Sequence, residues 1–226
     1  MYIAKPEAPN GKAVILIHEF WGLNDQMKRV AARLSREGFL ALATDLYDGK
    51  VTKNADEASR LRNNLNIKDA VSTIKKNLIY LEEDHRITGN KTAIWGFCMG
   101  GMVAFEAALH DIGAGAYVIY YGRITDDKEI LQSIKKPILG IFGGLDKGIP
   151  KNLVVKFRKS MEELGKKIEL QIYDDADHAF FNEERVVYNQ KAAEEAWEKT
   201  ILFLDGHLAE EDADWQNFSS PGSPKI

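Results

Sequence analysis

Trp95-Gly96-Phe97-Cys98-Met99-Gly100-Gly101 is the stretch from which the rest of this chain is read. Lys91 to Trp95 predicts a short buried strand, and Met99 to His110 predicts a helix directly behind it. The cysteine falls on the turn between them, with a glycine two residues to either side. That is the pattern G-x-S-x-G of a nucleophile elbow, with sulfur in place of the serine oxygen. A sharp strand-to-helix turn strains the nucleophile's backbone, and side chains at Gly96 or Gly100 would collide with neighbouring backbone. The helix N-terminus brings partial positive charge and free N–H groups, which favour a thiolate and later an oxyanion. A free thiol of pKa about 8.5 is only a few per cent ionised at neutral pH, so it needs a partner base. A lone cysteine elsewhere would read as a small buried hydrophobe. Its glycine frame makes Cys98 the candidate nucleophile.

Outward from the elbow, apolar runs alternate with amphipathic stretches. Ala13 to Ile17 is wholly apolar and partly β-branched, as in a strand covered on both faces. Asp25 to Glu37 carries Met27, Val30, Ala31 and Leu34 at helical steps and stops at Gly38. Phe39 to Thr44 reads as a strand, residues 46–57 as irregular, and a single long helix is expected through about residue 84. Further strands are expected at Ala114 to Tyr121, Pro137 to Phe142 and Ile168 to Tyr173, with helices at Lys151 to Leu164 and Asn189 to Leu204. Strands separated by helices imply crossover connections. The expected class is α/β, a mostly parallel sheet with helices on both faces. Such sheets bind ligands beyond the carboxyl ends of their strands. One domain is expected over residues 1–208, with the acidic, then Ser/Pro/Gly-rich stretch 209–226 as a disordered tail.

The base and the acid are sought after later strands, in the order nucleophile, acid, histidine. His178, in Asp174-Asp175-Ala176-Asp177-His178-Ala179-Phe180, meets that order. His85, His110 and His207 read as solvated surface residues; His18 ends the first strand near the site but precedes the nucleophile. Asp146, in Phe142-Gly143-Gly144-Leu145-Asp146, lies between Cys98 and His178. Its role would be to fix the imidazole tautomer and stabilise the imidazolium. Asp177 is the weaker acid, because adjacent loop side chains rarely aim at each other. The loop His18-Glu19-Phe20-Trp21-Gly22-Leu23-Asn24 would supply one oxyanion donor, the Phe20 N–H, beside that of Met99. A carboxylate next to a thiol disfavours the thiolate, so Glu19 is expected to hold Cys98 neutral until displaced. Trp21, Tyr121 and Phe180 read equally as pocket walls or as core.

Composition excludes several classes. A chain of 226 residues with a formal charge of −4 has no global attraction for nucleic acid or anionic membrane, though a small basic pocket remains compatible. No apolar run approaches the roughly 18 residues of a membrane span, and the opening MYIAKPEAPNGK, without a basic and then apolar stretch, leads to the expectation of no signal peptide. The single cysteine excludes an internal disulfide, and no His/Asp/Glu group has metal-ligand spacing. The cytoplasm is the expected address.

With HEFWGLN at 18–24, GFCMGG at 96–101, YYG at 120–122, GGLD at 143–146 and DADHAF at 175–180, the chain from Tyr2 to Leu204 resembles the dienelactone hydrolase family. The resemblance implies an α/β-hydrolase fold, no cofactor, and a Cys98–His178–Asp146 triad acting on a small-molecule ester or lactone. It also implies that Glu19 is the family's carboxylate, paired with the resting cysteine and swinging away when substrate binds. The family's enol-lactone hydrolases follow the histidine with a serine and then an arginine that hold the substrate carboxylate; Ala179 and Asn182 stand here instead. Arg60 and Arg62 are the candidate replacement cations. The N-terminus is shorter than the family's usual start, so one edge strand is expected to be absent. A monomer or small homo-oligomer is expected. The rival readings are a broad carboxylesterase or thioesterase on the same triad, and a non-catalytic ligand-binding or redox-responsive protein of this fold.

Overall fold

In a computed structural model the chain is described over residues 1–208; the tail expected at 209–226 lies outside the described residues. The strands are β1 (Tyr2–Ala4), β2 (Ala13–Ile17), β3 (Leu40–Thr44), β4 (Thr92–Phe97), β5 (Ala116–Tyr120), β6 (Ile138–Gly143) and β7 (Ile168–Tyr173). The helices are α1 (Asp25–Arg36), α2 (Ala55–Asn64), α3 (Ile67–His85), α4 (Met99–Leu109), α5 (Lys128–Leu131), α6 (Lys151–Glu163) and α7 (Gln190–His207). The strands form one sheet in the order β1-β3-β2-β4-β5-β6-β7, parallel throughout except for β1, which runs antiparallel to β3. This is the expected α/β sheet.

Alternation along each strand divides the core in two. Val14, Leu16, Trp95, Val118 and Tyr120 face a layer built from α1 and α7. Ala13, Ile15, Ile17, Ile94 and Ile119 face α3, α4 and α6. Both faces are covered, which is why β2 to β6 read as continuous apolar runs rather than as alternating ones. Fully burying one such large apolar side chain is worth about 1.5–3 kcal/mol, so the central strands form the stable floor of the molecule. β4 lies between β2 and β5 and runs two residues beyond the expected Trp95, to Phe97. It delivers Cys98 to the middle of the carboxyl edge.

Three expectations are corrected. The long helix after residue 57 is two helices, because Asn66 breaks it: its side chain accepts from the N–H groups of Lys68 and Asp69 and caps α3. The short elements β1 and α5 were not anticipated. His85 and His207 are not solvated: His85 packs edge-on against Tyr80 at 5.5 Å. His207 pairs with Glu169 at 3.5 Å, its side chain 15% exposed.

Candidate active site

The elbow forms as its residues dictate. Cys98 has φ 53° and ψ −112°, outside the regions that L residues favour, and its own N–H donates to Tyr120 O at 3.0 Å. A Cβ on Gly96 would lie 1.9 Å from Gly100 O, and one on Gly100 would lie 2.2 Å from Ile17 O. No side chain fits at either position. Cys98 is half-buried and opens α4, whose first N–H groups, Met99 among them, have no intrahelical acceptor.

Three side chains from the loops after β4, β6 and β7 meet here. His178 Nε2 lies 3.1 Å from Cys98 Sγ, and His178 Nδ1 lies 2.6 Å from Asp146 Oδ2. Asp146 is 4% exposed, and its other oxygen accepts from the N–H groups of Gly148 (2.7 Å) and Ile149 (3.1 Å). Burial works against this carboxylate's charge, but the hydrogen bond and charge of His178 with the two backbone donors hold its pKa below the ordinary value. A carboxylate so placed accepts, so Nδ1 carries the hydrogen and Nε2 is the nitrogen that faces the sulfur. Burial disfavours the imidazolium, yet the bonds and charges of Asp146 and Cys98 outweigh it and push His178 up to about 10. Asp177 does not compete for the ring; its Oδ1 accepts from the His178 N–H at 2.7 Å and sets the backbone there.

The loops that carry Asp146 and His178 are stitched together by backbone bonds. The Gly144 N–H donates to Tyr173 O at 2.7 Å and the Leu145 N–H to Ala176 O at 3.0 Å.

Glu19 is not on the sulfur. It is 4% exposed; Oε1 accepts from the Tyr121 hydroxyl at 3.1 Å and Oε2 from the Asn182 amide at 2.8 Å. In this conformation two neutral donors hold the Glu19 carboxyl group, in place of the expected pairing with Cys98, while Cys98 faces His178. Burial raises the Glu19 pKa, opposed by those two bonds and by the charges of His178 and Arg185. Tyr121, at φ 38°, packs its ring edge-on against His178 at 5.2 Å and is 1% exposed. It backs the site rather than opening to it. Of the two readings left open for Phe180, core is the one found: it is 0% exposed, between Tyr121 and Tyr173. Phe20 is part-buried against Trp21, ring centroids 4.2 Å apart, and its N–H meets no acceptor among the described residues.

Trp21 lines a cavity of about 490 Å³ together with Leu23, Val51, Lys53, Asn182 and Arg185. Arg60 and Arg62 are absent from its walls; both are exposed on α2, and Arg62 donates to Asn63. The cations at the cavity are other residues. Arg185 lies over the Trp21 ring at 4.4 Å. The two carboxylates that line the cavity are paired, Asp25 with Lys28 at 2.9 Å and Glu184 with Arg29 at 2.6 Å. Lys28, Lys53 and Arg185 against Asp25 and Glu184 leave the lining with one net positive charge.

The sequence does not place Asn182 and Arg185 at this cavity; Asn182 stands out there only as a departure from the family pattern. A polar residue four positions after the histidine, followed by charges, was the signal available.

Among the described residues no helix is long and apolar enough to cross a membrane, and no group of His, Cys, Asp or Glu could hold a metal ion. The dienelactone hydrolase family model matches residues 1–208. A protein of Saccharolobus solfataricus named "Putative carboxymethylenebutenolidase" is 33% identical, over 90% of this chain and 92% of its own length. Protein usf of Aquifex pyrophilus is also 33% identical, over 92% and 93% of the two chains. Among solved structures, a dienelactone hydrolase-like promiscuous phosphotriesterase from metagenomic libraries superimposes with a TM-score of 0.76 at 21% identity, covering 90% of this chain and 88% of that one, and so shares the fold. In sequence and architecture alike, the chain belongs to the dienelactone hydrolase family and is a carboxylic ester hydrolase of the α/β-hydrolase fold.

Proposed function

We propose that this hydrolase cleaves a small ester or lactone through a thioester on Cys98, with His178 as base and acid and Asp146 as its orienting carboxylate. The unbroken relay from sulfur to imidazole (3.1 Å) to buried carboxylate (2.6 Å) carries this reading. His178 Nε2 takes the thiol proton as the sulfur attacks, and the imidazolium so formed stays at hydrogen-bond distance from the reacting sulfur. The sulfur attacks the carbonyl carbon, and the carbonyl electron pair moves to oxygen, where the Phe20 and Met99 N–H groups bind it. Collapse expels the alkoxide, which takes its proton from His178. Water then gives a proton to His178 and attacks the thioester, and the acid leaves with the thiol restored. Amines are poorer leaving groups than alkoxides, so esters and lactones are favoured over amides.

The cavity beside Trp21 and Asn182 takes the remainder of the substrate. Lys53 and Arg185 favour a substrate with a negative group, which assigns them the part expected of Arg60 and Arg62. Glu19 remains turned toward Asn182, leaving the sulfur to its imidazole.

The test is turnover of p-nitrophenyl acetate with mass detection of an acetylated protein. Cys98→Ala and His178→Ala are expected to abolish both, and Asp146→Asn to slow turnover about 10⁴-fold through the wrong tautomer. Full activity in Cys98→Ala would remove the proposal.

A further inference from the structure

One fully buried ionisable group beside the site has no part in the chemistry above. His18 directly follows β2 and is 0% exposed. Both of its ring nitrogens are engaged. Nδ1 lies 2.5 Å from the carbonyl oxygen of Glu19, and Nε2 accepts from the N–H of Leu46 at 3.1 Å. A carbonyl only accepts and an amide N–H only donates, so one tautomer satisfies both: hydrogen on Nδ1, lone pair on Nε2. Tyr47 covers the ring edge-on at 4.9 Å, and its hydroxyl donates to Met99 Sδ at 2.9 Å. Burial pushes His18 down to about 4, against the opposing pull of its bond to Glu19 and the charge of Asp45, so the ring is neutral in ordinary buffers.

The bond to Glu19 fixes more than a carbonyl. The C=O of Glu19 and the N–H of Phe20 belong to one planar trans peptide and point to opposite sides of it. A carbonyl drawn toward the buried imidazole turns the Phe20 N–H the other way, and that N–H finds no acceptor among the described residues. The Gly22 N–H adds a weaker bond to the same carbonyl at 3.4 Å. The second nitrogen ties this loop, through Leu46, to the one that follows β3.

We propose that His18 is a positioning residue for the oxyanion hole: by holding the Glu19 carbonyl with Nδ1–H, it sets the peptide plane that presents the Phe20 N–H to the tetrahedral oxygen. This rests on the reading of Phe20 as an oxyanion donor. The role differs from that of a base, which chain order denies His18, and from that of a packing residue, which would use neither nitrogen.

Three variants separate these roles. His18→Asn keeps a donor where Nδ1 stood and loses the Leu46 bond. His18→Gln reaches Leu46 and loses the donor to Glu19. His18→Leu loses both. The readouts are acylation by p-nitrophenyl acetate and alkylation of Cys98 by iodoacetamide. Alkylation at saturated carbon forms no oxyanion and does not need the hole.

The expected result is acylation slowed about 100-fold in His18→Gln and His18→Leu, the scale of losing one oxyanion donor, with KM unchanged. His18→Asn recovers most of the acylation rate, and alkylation stays at the parental rate in all three. Acylation and alkylation falling together, or Asn and Gln behaving alike, overturns the proposal, as does failure of both polar variants to fold. If His18→Leu acylates normally while Cys98→Ala is inert, the relay stands and only the positioning role falls. Turnover by Cys98→Ala would instead bring down the relay itself.

Discussion

Replacing Cys98 with glycine and with alanine isolates the strain at the elbow. Both changes delete the sulfur and its bond to His178, so their difference reports the backbone alone. At an ordinary position glycine is the less stable of the two by about 0.5–1 kcal/mol, because the unfolded chain gains freedom. Cys98 is not ordinary: φ 53° with ψ −112° lies far even from the left-handed well, and such conformations cost about 1–3 kcal/mol for a residue with a Cβ. Glycine escapes that cost. Setting about 2 kcal/mol of relief against about 0.75 kcal/mol of entropy leaves the glycine variant ahead by about 1 kcal/mol, or roughly 2–4 °C in Tm for a chain of this size. Urea unfolding of the two variants is the assay, with equal m-values required so that the midpoints report stability. Neither should turn over ester. A glycine variant less stable than the alanine one would refute the idea that the nucleophile is held under strain.

Four further outcomes are expected. Gly100→Ala forces its new carbon against Ile17 O, 2.2 Å away, and should cost about 3 kcal/mol or more in urea unfolding. Asn182→Leu removes a donor from a buried carboxyl group and should destabilise by about 1–3 kcal/mol, more at higher pH as Glu19 ionises, read from unfolding curves across pH. His18 has a folded pKa of about 4 against 6.5, so the unfolded chain takes up the proton first. Stability is then lost as pH falls from about 6.5 toward about 4, by ~3 kcal/mol in all, and His18→Leu should flatten that part of the profile. Arg185→Ala should raise KM about tenfold for an ester bearing a carboxylate and leave a neutral ester of equal size unaffected, with kcat unchanged for both.

The parts of this molecule legible in its sequence are those whose cause is local. Ala13 to Ile17 announces a strand covered on both faces because every residue in it is apolar. Cys98 announces itself because two glycines are needed where no Cβ fits. His178 and Asp146 follow from chain order and from turns behind buried strands. The rest depends on partners remote in the chain. Glu19 was assigned to the thiol, but its carboxyl group is claimed by Tyr121 and by Asn182, 102 and 163 positions away. Phe180 follows the histidine loop and resembled a wall, yet the loop tucks it inward between two tyrosines. Arg60 and Arg62 were plausible by charge alone, and charge does not say which way a helix turns. The break at Asn66 was readable from its capping chemistry and was overlooked beneath a longer apolar period.

The backbone bonds from Gly144 to Tyr173 and from Leu145 to Ala176 make the acid and base loops one mechanical part. Thermal breathing then alters the gap between sulfur and ring more readily than the spacing of ring and carboxylate. Tautomer and aim are preserved while the cleft flexes around its guest. The same coupling leaves the exposed cavity residues Val51 and Lys53, which stand on a different loop, open to redesign for a new guest without retuning the pair of ring and carboxylate.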